Sequence, residues 1–173
     1  MTLKSEWLSD INDMHYKFGA TEWVDNMHRS KNYKVLKDFL AFRLDFLEEE
    51  FEETQAAFFK NDSEEVVDGL IDLIVIAIGT LDLFKCDADE VWDKIHHSNM
   101  AKEPGVNKSR QNPFGLPDMV KPEGWVGPRI TEKNCGILPD ILNPEDRDRK
   151  EHLQNKRDLE NEFKNNVINS QYE

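Results

Sequence analysis

Apolar residues recur every three or four positions through the first half of the chain, the rhythm of amphipathic helices. Leu3, Trp7, Ile11 and Met14 or His15 predict a first helix over about 3–18, closed by Phe18-Gly19. Trp23, Val24 and Met27 predict a short second one. From Tyr33 to Lys60 a third, long helix sets Leu36, Phe39, Leu40, Arg43, Phe46, Leu47, Thr54 and Ala57 on one face when turned at roughly 100° per residue. "NDS" makes a turn, and Ser63 opens a fourth helix to about Gly79 that is apolar almost all round, a pattern of burial on several sides. Asp87, with Glu90 three residues on, caps a fifth helix holding Val91, Ile95 and Trp92, the last expected in the core. The same Asp-rich stretch is no calcium loop, because Trp92 stands where such a loop needs glycine.

The pattern then breaks. Residues 103–130 hold five of the seven prolines and four of the eight glycines, which predicts an ordered or semi-ordered loop over the bundle, with Trp125 as its anchor. After Pro144 the chain is highly charged, with a sparse stripe of Leu153, Leu159, Phe163 and Val167. A weakly packed or partner-bound C-terminal helix and a solvated tail both fit. The expected fold is all-α: a helical bundle over 1–130, including the long Pro/Gly loop, then a charged C-terminal extension over 131–173.

Charge on the third helix complicates this picture. Five of the six residues from Glu48 to Glu53 are glutamates, in a helix otherwise built to pack. Glu48 and Glu52 point to solvent and Glu49 sits on the boundary, but Glu50 falls near the centre of the apolar face and Glu53 at its edge. On the fourth helix Glu65, Asp68 and Asp72 share one stripe, and Asp72 interrupts the apolar run "LIDLIVIAI". An ion pair with Arg43, the only inward base on either helix, would account for one acid but not for the group. Like charges crowded at low dielectric repel unless protonated or bound to cations. Oxygen ligands without His or Cys suit a hard ion, Mg2+ with Mn2+ as a possible substitute.

Across all 173 residues the formal net charge is -13, which argues against a nucleic-acid polymer as partner. It leaves room for a small phosphorylated ligand, since a metal reverses the local sign. Cys86 and Cys135 lack zinc-type spacing, no apolar run reaches membrane-span length, and the start is polar rather than leader-like. Together these predict a reduced, cytoplasmic protein. Downstream of the acids, "HHSNMAKEPGVNKSR" offers Lys102, Lys108 and Arg110 for phosphate and Asn99 for a base or sugar. His96 and His97 read as structural or solvent-facing.

"EEFEE" at 49–53, "EEVVDGLIDL" after a short turn, and the N-x-x-K of "NMAK" together resemble the MazG-like all-α nucleoside triphosphate pyrophosphohydrolases over about residues 8–130. "LPDMVKPEGWVGPRI" is similar to the phage-type, phosphoribosyl-ATP pyrophosphohydrolase-like branch, which would place the chain in a host cytoplasm. The resemblance implies hydrolysis of a nucleoside triphosphate, on the phage-type likeness a deoxynucleotide, to a monophosphate and pyrophosphate in a homodimer or homotetramer. It implies metal ligation by Glu50 and Glu53. On the fourth helix, alignment on the apolar run sets Asp72 on the family's aspartate and Gly69 where its other acid belongs. Asp68 with Asp72, or the literal Glu65–Asp68, supplies the second pair, with Glu49 and Glu65 as secondary ligands. Glu49 or Glu53 would be the general base, Lys102 with Arg110 would stabilise the departing pyrophosphate, and Asn99, Lys102, Lys108 and Arg110 would hold substrate. The alternatives are phosphoribosyl-ATP as substrate, or a non-enzymatic helical interaction module.

Overall fold

A computed structural model describes residues 6–107 and 112–145. Five helices follow in order: α1 Glu6–Lys17, α2 Ala20–Arg29, α3 Tyr33–Lys60, α4 Ser63–Leu83 and α5 Ala88–Met100. β1 (Glu103–Gly105) and β2 (Asp118–Val120) then pair antiparallel, and a 3-10 turn at Glu132–Asn134 leads into a short α6, Leu138–Leu142. The all-α expectation holds, with the two strands confined to the Pro/Gly segment.

Local chemistry sets the boundaries. Gly19, at φ +74°, makes the left-handed step between α1 and α2 that a side chain would resist. Asn61 makes the same step after α3, and Asp62 then caps α4 by accepting from Glu65 N at 3.2 Å. Asp87 caps α5 as its spacing predicts, accepting from Glu90 N at 3.1 Å. α4 runs one turn beyond Gly79, where Thr80 accepts from Arg43 on α3 and Leu83 is buried in the core.

The bundle is organised on the antiparallel α3–α4 hairpin. Val24, Leu36, Leu83, Phe84 and Ile141 form its buried centre, with Phe39 edge-on to Trp23 and tilted against Phe84. Ile141 comes from α6, so part of what reads as charged extension closes the core. α1 crosses α4 through a polar clasp. Buried His15 donates from Nδ1 to Asp82 Oδ2 at 2.7 Å, and Asn12 donates to Asp82 Oδ1 at 2.8 Å. No described helix is long and apolar enough to cross a membrane.

Trp92 corrects the expectation that it is core: it is 71% exposed. α5 diverges from α4 instead of lying along it, leaving an apolar groove of about 630 Å³ walled by Trp7, Ile78 and Trp92. Burial of α4 on several sides is also incomplete in the single chain, where Val67, Leu70 and Ile71 stay exposed.

Candidate active site

Turning α3 and α4 against each other brings the inward acids together where the helices are closest. Glu50 and Asp72 are half-buried, whereas Glu49, Glu53, Asp68 and Glu65 are exposed. Glu48 and Glu52 face solvent, as the helical period requires. Partial burial, then the carboxylates of Asp72, Glu53, Glu49 and Asp68 in that order, hold the Glu50 carboxyl above its usual range. Glu65 is not among the groups acting on Glu50; its amide is bound by the Asp62 cap in the first turn of α4.

Arg43 does not neutralise the group. Its guanidinium donates from Nε to Thr80 Oγ1 at 3.1 Å and from Nη2 to the Ile76 carbonyl at 2.9 Å, one turn or more beyond Asp72. The simple structural explanation of Asp72, an ion pair with Arg43, is therefore not what the fold contains. Arg43 serves as a tie between α3 and α4.

The helices approach closely at Gly69. A Cβ there would lie inside contact distance of Thr54 Oγ1 and 3.3 Å from Thr54 Cβ. Thr54 is held in place by donating to the Glu50 carbonyl at 2.7 Å. The departure noted at Gly69 thus has a packing reason: this position is spent on helix approach, leaving no room for a side chain. Gly69→Ala should cost about 1–3 kcal/mol by overpacking, and a Thr54→Gly background should recover most of it. Thermal melts of the two single variants and the double variant would measure the coupling.

As they stand, no three His, Cys, Asp or Glu side chains among the described residues are close enough together to hold a metal ion. The acids gather at electrostatic rather than ligating distance. The donor set fits a hard cation in kind: carboxylate oxygens only, centred on Glu50, whose charge is disfavoured by its neighbours. Ligation requires the exposed Glu53 and Asp68 side chains to turn inward towards Glu50 and Asp72, which their surface position permits.

The downstream residues form a second group. Lys102 Nζ donates to Asn99 Oδ1 at 2.8 Å and stands 5.5 Å from the centre of the Trp125 ring. Lys121 faces the same ring at 4.7 Å, and the indole Nε1 donates to the Ser98 carbonyl at 2.9 Å. Trp125 thus pins the Pro/Gly segment to the end of α5, as its anchoring role predicts. Lys121 was not legible as part of this group, since "VKPEG" carries no spacing signal. Asn99 and Lys102 bond to each other and to none of the described carboxylates near Glu50. Lys108 and Arg110 lie outside the described residues. His96 and His97 are exposed.

Residues 25–99 match the family model for phosphoribosyl-ATP pyrophosphohydrolase, from α2 through Asn99 on α5. No curated protein matches the chain. The matched span contains the whole α3–α4 hairpin with every acid discussed above, and stops short of Lys102 and Trp125. Residues 25–99 accordingly carry a phosphoribosyl-ATP pyrophosphohydrolase family domain, a family that belongs to the MazG-like superfamily of nucleotide pyrophosphohydrolases.

Proposed function

We propose that the protein is a magnesium-dependent hydrolase that cleaves the α–β phosphoanhydride of a nucleoside triphosphate, giving a monophosphate and pyrophosphate. The observation that carries this is Glu50, half-buried among Asp72, Glu53, Glu49 and Asp68 inside the family domain, with Arg43 engaged elsewhere. Glu50, Glu53, Asp68 and Asp72 are the residues that would hold Mg2+, or Mn2+ in its place, with Glu49 and Glu65 as secondary ligands. When bound, the ion supplies charge neutralisation at phosphate oxygens. Glu53 or Glu49, both exposed beside Glu50, accepts the proton of the attacking water. Lys102 offsets charge on the departing pyrophosphate, with Arg110 as a second cation, and Asn99 and Lys108 complete substrate binding. Deoxynucleotides are the favoured substrates through the phage-type likeness of the Pro/Gly segment.

Lys102 and the acids belong to separate groups in one chain, and α4 leaves Val67 62% exposed with Leu70 and Ile71 beside it. A homodimer or homotetramer that covers this face and supplies cations across subunits accounts for both observations. Light scattering should find no monomer at micromolar concentration.

Turnover of the purified chain on ribo- and deoxynucleoside triphosphates with magnesium, separating pyrophosphate from orthophosphate, tests the reaction. Pyrophosphate with a monophosphate is expected. Orthophosphate as the product would refute the α–β assignment. The matched family favours phosphoribosyl-ATP as the second reading, and turnover on that substrate alone would select it.

Proton linkage gives an independent check. Because Glu50 binds its proton more tightly folded than unfolded, the protonated carboxyl stabilises the fold at acid pH. That contribution is lost as pH rises from the unfolded carboxylate range through the folded pKa. With a chelator present, the contribution of Glu50 to stability should therefore fall as pH rises above the ordinary carboxylate range, and magnesium should restore stability at the upper end. Melts across that rise in pH on wild type and Glu50→Gln, whose slope should be shallower, measure it.

A further inference from the structure

We propose that Cys86 and Cys135 are an oxidisable pair, joined as an intrachain disulfide by exchange with a small-molecule disulfide. Ile137 N donates to the Phe84 carbonyl at 2.9 Å, and Asp87 N donates to the Asn134 carbonyl at 3.0 Å. These two bonds tie the turn after α4 to the turn before α6 on either side of Cys86 and Cys135. Cys86 Sγ lies 3.6 Å from the Cys135 carbonyl oxygen, and Cys135 Sγ, which donates to the Thr131 carbonyl at 3.3 Å, turns from that bond to meet it. Gly136 lies between these bonds at φ +54°, its Cα so close to the Phe84 and Lys85 backbone that a Cβ would collide with it. The segment is therefore held against the α4–α5 turn by main-chain contacts on both sides of the cysteine pair.

The chemistry balances with oxidised glutathione as the oxidant. Cys135, as thiolate, attacks one glutathione sulfur; a Cys135–glutathione bond forms and the first glutathione leaves, taking up a proton. Cys86 then loses its proton and attacks the Cys135 sulfur, expelling the second glutathione. The protein is oxidised by two electrons and one glutathione disulfide is reduced to two thiols. Burial and the neighbouring Cys135 push the Cys86 thiol up to about 11, which makes Cys86 a poor first nucleophile. The ring so closed runs through α5, Asn99, Lys102 and Trp125. The crosslink would tie both ends of the segment bearing these residues to the bundle. It would also fasten the strand leading to Ile141.

The test exposes the full chain to oxidised glutathione, followed by intact mass, peptide mapping and melting. The expected product is a chain that has lost two hydrogens, with a Cys86–Cys135 peptide and a melting temperature higher by about 5–10 °C, reversed by a dithiol. Cys86→Ser should stop at glutathione on Cys135, a readout that needs only intact mass. Two free thiols, stable glutathione adducts on the wild type, or links between separate chains would each overturn the proposal.

Discussion

Asp72→Asn is expected to lower turnover by at least about 100-fold, the upper end of what losing an outer partner of a metal ligand costs, since here a direct ligand is removed. That is about 2.7 kcal/mol of lost transition-state stabilisation. Glu50→Gln should do the same, whereas Glu48→Gln, on the solvent face of the same helix, should leave turnover unchanged. The stability readout runs the opposite way. Asp72 stands beside Glu50 and raises its pKa, so replacing either acid by its amide removes repulsion in the metal-free chain. The amide variants should therefore melt at or above the wild-type temperature in chelator, and gain less than wild type from added magnesium. Wild-type turnover by Asp72→Asn would remove Asp72 from the site. Loss of both turnover and folding would mean that the acids are structural.

Ile141→Ala should destabilise the chain by about 2–5 kcal/mol, a drop in melting temperature on the order of 10 °C. Ile141 is 2% exposed and packs with Leu36, Leu83 and Phe84, so truncation leaves a cavity at the centre of the bundle. Leu142, the next residue, is exposed; Leu142→Ala should stay within about 0.5 kcal/mol and serves as the control. The comparison asks whether residues beyond the family match are part of one cooperative unit. A small effect at Ile141 would mean that α6 folds onto a core already complete without it. The Gly69→Ala and Thr54→Gly pair probes the hairpin in the same way, with a smaller expected effect because the clash is with one movable hydroxyl.

α3 shows how far helical period alone carries. Its limits fall at Tyr33 and Lys60 as the spacing predicts, and the period sorts its glutamates correctly: Glu50 half-buried, Glu48 and Glu52 in solvent. A helix has one geometry, so the direction of each side chain follows from its number. Capping is equally local, and Asp87 with Glu90 behaved as their spacing implies. The acid stripe on α4 was legible too, since Asp72 in an apolar run has few alternative explanations. Which acid pairs with which was not, because that depends on the register of two helices. Gly69 against Thr54 fixes that register by close contact, and no rule of spacing contains it.

Trp92 marks the other limit. Its place on a helix was readable, but its exposure follows from the divergence of α5 from α4, a matter of packing angle. Arg43 is similar: as an inward cation opposite Asp72 it invited an ion pair, yet its length lets it reach the Ile76 carbonyl and Thr80 instead. Residues 131–142 look like the start of a polar extension, and only the return of Ile141 to α3 makes them core. The sequence by itself thus determined α1 to α5, the Asp87 cap, and the half-burial of Glu50 and Asp72, because each depends on neighbours within a turn or two. Tertiary structure alone decided the α3–α4 register, the bond partners of Arg43, the approach of Cys86 to the Cys135 carbonyl and the closing of the core by α6. These are contacts between residues distant along the chain, and their energies depend on a fit that periodicity does not encode.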